Sequence, residues 1–135
     1  MSYPLSAIDG IDAGDAETLK AAGVRTTAKL LEAAKNPKGR RLLADKTGID
    51  EKRILCWANA ADRMRIKGMG REYACLLRAV GVDTVKELKY RNPANLAKAM
   101  AEMNAKRKLV RFLPSEKLVV RWVEHARKLP LKISY

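Results

Sequence analysis

Two glycines separated by one apolar residue form the segment of this 135-residue chain that is best suited to bind an anion. Gly68 and Gly70 lie within RIKGMGREYACLL, residues 65–77, and Lys67 and Arg71 flank them. A turn this tight needs positive φ or close backbone approach, which glycine provides at the lowest cost. A helical run follows directly, so backbone N–H groups are left unpaired at a helix N-terminus, where they can bind phosphate.

The same Gly-x-Gly pattern also occurs in turns that only connect two helices, so a purely structural turn is the alternative interpretation. In either case, Ile66 and Met69 are expected to point inward and to anchor the turn to the core.

The charge of the chain is concentrated in its second half. The net charge is +13. Residues 1–62 contain 10 basic and 9 acidic groups, a net of +1, whereas residues 63–135 contain 18 basic and 6 acidic groups, a net of +12. Because such an excess favours contact with a polyanion, we expect any nucleic-acid surface in the second half.

A second basic group lies in the run AKRKLVRF, residues 105–112. It contains Lys106, Arg107, Lys108 and Arg111. Interleaved apolar residues favour a helix with one buried stripe and a solvated basic face. The alternative is a second set of phosphate contacts.

Caps and helix breakers predict an all-α fold, and no segment has the period-2 pattern of a strand. Candidate N-caps are Thr26, Asn36, Asp50, Thr84, Asn92 and Ser115, and candidate C-terminal glycines are Gly23, Gly48 and Gly81. We expect helices near residues 14–22, 27–34, 37–46, 51–65, 71–79, 85–91, 94–110 and 116–128.

The chain also repeats itself. A shift of 58 residues aligns 8–31 with 66–89 without a gap, and DEKRILCW (50–57) aligns with SEKLVVRW (115–122). We interpret this as a tandem duplication of a multi-helix unit, residues 1–62 and 63–135, that together form one compact body. Trp57 and Trp122 occupy equivalent positions and are expected in the core.

The stretch IKGMGREYACLLRAVGVDTVKEL resembles a helix-hairpin-helix unit, whose pattern is apolar-x-Gly-apolar-Gly-x-x-x-Ala-x-x-Leu. The matching positions are Ile66, Gly68, Met69, Gly70, Ala74 and Leu77. The continuation resembles the helix that follows such hairpins in the C-terminal domain of the RNA polymerase alpha subunit, a SAM-like fold. Over nearly the whole chain, the layout is similar to an uncharacterised bacterial domain-of-unknown-function family with two helix-hairpin-helix repeats.

The resemblance implies a protein that binds duplex DNA without sequence specificity, with structured RNA as a second nucleic acid that fits. It implies that Gly68 and Gly70 offer backbone amides to phosphate. The basic residues placed around them are Lys67 and Arg71 beside the turn, Arg63 and Arg65 before it, and Arg78 one helical turn further on. The basic residues Lys106, Arg107, Lys108 and Arg111, here called the 106–111 cluster, would extend this surface.

The first copy differs from the pattern, because Asp12 replaces its second glycine and Asp9, Asp15 and Glu17 surround it. Carboxylates repel phosphate, so we do not expect this hairpin to bind DNA. We expect it to serve packing, as the pseudo-symmetric partner of the second hairpin, or to dock a basic protein surface. The alternative function is therefore a protein-interaction or accessory module, in which the acidic hairpin docks a protein partner and DNA affinity is incidental.

Other functions have less support in the sequence. Base-excision glycosylases with a lysine nucleophile carry it two positions after the second glycine of the hairpin, where this chain has Glu72. No nucleophile–base set or metal-ligand spacing is present, so neither catalysis nor a metal or other cofactor is expected. Cys56 and Cys75 lack CxxC spacing and are expected to be reduced. Without a spanning apolar run or a signal-like N-terminus, we expect a cytoplasmic protein that binds no membrane.

Overall fold

The computed structural model describes residues 2–135, which form an all-α fold. No β-strand occurs among them, and an isolated antiparallel bridge joins Pro4 to Thr26. A short 3-10 helix, Leu5–Ala7, precedes eight α-helices: α1 Ala13–Ala21, α2 Thr27–Ala33, α3 Pro37–Thr47, α4 Glu51–Arg63, α5 Arg71–Ala79, α6 Val85–Lys89, α7 Pro93–Arg107 and α8 Glu116–Lys128.

Helix starts agree with the predicted caps. The side chain of each candidate N-cap accepts a hydrogen bond from a backbone N–H two or three residues further on, and proline opens α3 and α7. The residues concerned are Thr26, Asn36, Asp50, Thr84, Asn92 and Ser115. The predicted helix starts near these positions are therefore confirmed.

Three helix ends were predicted two or three residues too late. Helix α4 ends at Arg63 instead of near residue 65, α6 ends at Lys89 instead of near residue 91, and α7 ends at Arg107 instead of near residue 110. Lys108 adopts a left-handed conformation with φ of 51°, and the Asn104 side chain bonds to both backbone groups of Val110. These contacts stop α7 and turn the chain, so the basic run lies partly in a loop.

One hydrophobic cluster contains residues from both halves of the chain. Trp57 and Trp122 are buried in it, as predicted, and Ile66 and Met69 are fully buried. Helix α4 packs on α2 and α3, while α8 packs on α6 and α7. The anchoring of the glycine turn by its two apolar residues is therefore confirmed.

Both ends of the described chain cross to the opposite half. The Tyr3 hydroxyl donates to the Met69 carbonyl at 2.9 Å. At the other end, the Ser134 N–H donates to the Lys35 carbonyl at 2.7 Å, and the Arg40 guanidinium donates to the Ser134 carbonyl at 2.8 Å. The Tyr3 bond holds residues 66–70 against the N-terminal segment. The two Ser134 bonds attach residues 129–135 to α3 and to the residue pair just before it.

Candidate nucleic-acid interface

Residues 66–70, here called the 66–70 turn, lie in the connection between α4 and α5. The Met69 N–H donates to the Ile66 carbonyl at 3.1 Å, and Gly68 has φ of 81°. A side chain at Gly68 would be strained at this φ, which explains the glycine. Gly70 has an extended backbone, with φ of −107°, and a Cβ built on it would meet open space.

The N-terminus of α5 is uncapped. Gly70 occupies the N-cap position and supplies no side-chain acceptor, whereas a side chain caps every other α-helix in residues 2–135. The backbone N–H groups of Arg71, Glu72 and Tyr73 have no acceptor in that part of the chain. These groups carry partial positive charge and are available to an anion.

The position that the 58-residue shift aligns with Gly70 is occupied by a carboxylate. Asp12, 58 residues before Gly70, is the N-cap of α1, and its Oδ1 accepts a hydrogen bond from the Asp15 N–H at 2.7 Å. Gly10, which corresponds to Gly68, also has positive φ, 88°. Residues 8–12, the 8–12 turn, thus have a similar backbone feature but carry their own anion.

The acidic residues of the first half mostly have partners within the chain. Asp9 lies 3.3 Å from the Arg71 guanidinium, and it also accepts a hydrogen bond from the Cys75 thiol at 3.3 Å. Asp15 forms an ion pair with Arg53. The acidic turn therefore contacts α5, where its charge partly offsets that of Arg71.

Seven of the nine basic residues that the sequence analysis assigned to a nucleic-acid surface are exposed. They are Lys67, Arg71, Arg78, Lys106, Arg107, Lys108 and Arg111. Tyr73, in the first turn of α5, donates its hydroxyl to the Phe112 carbonyl at 3.1 Å and so holds the loop after α7 beside the 66–70 turn. The loop that carries Arg111 is thereby attached to the first turn of α5.

Arg63 is placed differently from the sequence expectation. It is only 4% exposed, and its Nη1 donates to the Asp83 carbonyl at 2.8 Å. Burial lowers the pKa of the Arg63 guanidinium from its ordinary value, and the Asp83 carboxylate opposes this shift. Its side chain connects α4 to the start of α6 and is not on the surface.

Arg65 is also used inside the protein. Its Nη2 lies 2.7 Å from the buried Asp62 carboxylate and donates to the Pro130 carbonyl at 2.9 Å. The other Asp62 oxygen accepts from the Val85 N–H at 2.8 Å. Neither Arg63 nor Arg65 is therefore presented to an external phosphate as the sequence suggested, because both guanidinium groups are held by acceptors inside the protein.

A surface cleft that the sequence reasoning missed adjoins the 66–70 turn. Its volume is about 370 Å³, and it is lined by Lys67, Gly68, Leu118, Arg121 and His125. The Lys67 N–H donates to His125 Nδ1 at 3.1 Å, which links the 66–70 turn to α8. The spacing of residues 118, 121 and 125 on one helical face was the available signal.

The indole of Trp122 lies beneath Gly68 of the 66–70 turn. It is 1% exposed, its N–H has no acceptor in residues 2–135, and a Cβ built on Gly68 would lie 3.9 Å from that nitrogen. The ring of Tyr73 packs against the indole with a centroid separation of 5.2 Å. The 66–70 turn thus rests on an aromatic support that belongs to α8.

Other kinds of site find no support in the described residues. Residues 2–135 contain no group of three or more His, Cys, Asp or Glu side chains placed to hold a metal ion. In the same residues, no helix is both long enough and apolar enough to cross a membrane. Cys56 and Cys75 are both free thiols and are half-buried.

The fold and the site define a small all-helical protein with an open, basic helix N-terminus in its second half. The family profile described as "Domain of unknown function (DUF4332)" matches residues 9–129, and the chain belongs to this family. No curated protein and no solved structure matches the chain.

Proposed function

We propose that this protein binds duplex DNA without sequence specificity by holding a backbone phosphate at the N-terminus of α5. The observation that carries the proposal is the contrast between Gly70 and Asp12. The first turn of α1 is capped by its own carboxylate, whereas the first turn of α5 offers three N–H groups that no side chain accepts from. Helix N-termini of this kind bind phosphate in many proteins.

Exposed cations around this point supply the long-range attraction. Lys67 and Arg71 are adjacent to the turn, and Arg121 lies across the cleft on α8. Arg78 and the 106–111 cluster extend the surface, whereas Arg63 and Arg65 have no part in it because they are engaged inside the protein. Engagement of roughly four to seven phosphates gives a slope of log K against log salt of about −4 to −6.

The proposed contacts are to phosphate and do not read base edges. Amides at a helix N-terminus contact phosphate whatever the neighbouring bases are. Sequence preference is therefore small, and structured RNA with the same phosphate spacing competes with duplex DNA.

We also infer that both turns are copies of a helix-hairpin-helix unit, as the sequence resemblance implies, and that the protein works in the cytoplasm. Support for the duplication comes from matched positions in the two halves. The pairs are Gly10 and Gly68 with positive φ, Thr26 and Thr84 as N-caps, Asn36 and Asn92 as N-caps before proline, and Trp57 and Trp122 as buried rings.

The test is fluorescence anisotropy of a labelled duplex of arbitrary sequence, titrated at several salt concentrations with wild type and with a Lys67→Glu/Arg71→Glu variant. We expect the variant to lose at least about tenfold in affinity and the salt slope to become shallower by about two. The matched control, Lys38→Glu/Arg41→Glu, reverses two exposed charges on α3.

Equal losses in both double variants would mean that affinity is diffuse and that the 66–70 turn is a connector. Absence of binding by wild type near physiological salt would reject DNA binding. The search would then turn to the alternative, a protein partner of the 8–12 turn, although Asp9, Asp12 and Asp15 already have partners within the chain.

A further inference from the structure

Phe112 is the single phenylalanine of the chain, and most of its surface is exposed to solvent. Its exposed fraction is 74%, and the neighbouring Leu113 is 46% exposed. Both belong to the segment between α7 and α8, residues 108–115, here called the Phe112 loop. Scattered exposed apolar residues are common on protein surfaces, so exposure alone indicates no function.

The Phe112 loop differs from a loose surface loop because several contacts fix its backbone. Asn104 donates to the Val110 carbonyl at 3.2 Å and accepts from the Val110 N–H at 2.9 Å. Val110 and Pro114 are buried on either side of the tip. The Tyr73 hydroxyl holds the Phe112 carbonyl itself, so the ring is held outward by a braced backbone.

The surroundings of the ring are cationic. Lys106, Arg107, Lys108 and Arg111 are all exposed, and within residues 2–135 none of their side chains forms a hydrogen bond or an ion pair. No acidic residue lies between Asn104 and Ser115 in the sequence. An aromatic face among unpaired cations is complementary to a nucleobase attached to a phosphate backbone, because stacking and charge act on the same ligand.

The loop is also continuous with the phosphate site. Tyr73, which holds it, is in the first turn of α5, so one tyrosine side chain and one hydrogen bond separate the open N–H groups from Phe112. A strand whose phosphate occupies the N-terminus of α5 therefore has a neighbouring nucleotide within reach of the ring.

We propose that Phe112 is a stacking platform for an unpaired base, and that the preferred ligand is DNA with a single-stranded segment. This inference rests on the proposed DNA binding and names its substrate class. Bases inside a duplex already stack on each other, so only an unpaired base offers a free face to the ring. A lipid surface fits less well, because one phenylalanine and one leucine bury little apolar area.

The experiment compares a labelled single-stranded oligonucleotide with a blunt duplex of equal length by anisotropy at one salt concentration. Phe112→Ala is expected to weaken single-strand binding about 5- to 100-fold and to change duplex binding by less than about twofold. Tyr90→Ala is the matched control, since Tyr90 is 73% exposed but lies at the end of α6, and it is expected to leave both affinities unchanged.

A second variant reports stacking directly. Phe112→Trp is expected to retain single-strand affinity, and the emission of the added indole is expected to be quenched by single-stranded DNA and not by the duplex. The two natural tryptophans are buried, and a parallel titration of wild type measures any change in their emission so that it can be subtracted. Circular dichroism melting checks that each variant folds like wild type, as expected for an exposed position.

Three results would overturn the inference. The first is equal loss of single-strand and duplex affinity in Phe112→Ala, and the second is no change in either with duplex binding intact, which would leave the proposed function standing. The third is Phe112-dependent binding to vesicles of anionic phospholipid without single-strand binding. Failure of wild type to bind any DNA would reject the inference together with the proposed function.

Discussion

Replacing Gly70 by aspartate tests the proposed site with a change that already exists elsewhere in the chain. Asp12 occupies the equivalent position and caps α1 through the Asp15 N–H at 2.7 Å. Gly70 has an extended backbone that accepts any side chain, and no atom lies within 4 Å of a Cβ built there. The variant should therefore fold and cap α5 with its own carboxylate.

The expected effects on stability and on DNA binding have opposite signs. A carboxylate at the N-cap instead of glycine stabilises a helix by a few tenths of a kcal/mol, with about 0.3–1 kcal/mol more from the helix dipole. The melting temperature should stay the same or rise. Charge-assisted hydrogen bonds contribute about 1.5–3 kcal/mol, so filling the phosphate position should lower DNA affinity about 10- to 150-fold.

The assay pairs thermal melting by circular dichroism with duplex anisotropy. Asn36→Asp is the charge-matched control, because it adds one carboxylate at the capped N-terminus of another helix. It should reduce DNA affinity by no more than about threefold through net charge alone. Gly70→Asn, which caps without charge, should fall between the two.

One result would refute the reasoning. If Gly70→Asp and Asn36→Asp weaken DNA binding equally while both proteins remain folded, then the N-terminus of α5 holds no phosphate. Binding would then be a property of the overall charge, and the glycines would serve only the geometry of the 66–70 turn.

Three further predictions concern neighbouring residues. Asp9→Asn should raise duplex affinity about 1.5- to 5-fold by releasing Arg71 from its 3.3 Å ion pair; a decrease in anisotropy titrations would contradict this role. Arg63→Ala should lower the free energy of unfolding by about 1–3 kcal/mol in urea titrations, with DNA affinity of the folded protein unchanged; a large affinity loss would restore Arg63 as a phosphate ligand. Burial, and then the Asp9 carboxylate, raises the pKa of the Cys75 thiol, so its thiolate fraction near neutral pH is small and iodoacetamide labelling should accelerate only at higher pH. Asp9→Asn should shift that acceleration to lower pH in a Cys56→Ser background, as followed by mass spectrometry, and an unshifted profile would exclude the contribution of Asp9.

The helices could be predicted because their starts depend on local chemistry. Asn36 and Asn92 precede proline, and a capping side chain needs only the N–H groups two or three residues away. The burial of Trp57 and Trp122 follows in the same way from their position on apolar helix faces. The capping bonds join residues close together in the sequence, and the apolar faces follow from helical periodicity, so both can be predicted from the sequence alone.

The distribution of the arginines could not be predicted, because their partners are remote in sequence. Arg63 reaches a carbonyl 20 residues away, and Arg65 reaches one 65 residues away. Nothing in the composition of these segments distinguishes such an arginine from the exposed Arg71. Likewise, the premature end of α7 depends on Asn104 turning back to Val110, a bond that hydrophobic periodicity does not reveal.

The crossing of residues 129–135 to the first half affects the order in which the protein can fold during synthesis. Arg40 is 5% exposed and donates to the Ala34 carbonyl and to the Ser134 carbonyl, a residue made 94 positions later. Until that residue leaves the ribosome, the buried guanidinium lacks one of its acceptors, and water must serve instead. The first half is therefore expected to remain loosely packed on the ribosome and to reach its final stability only when the second half is complete.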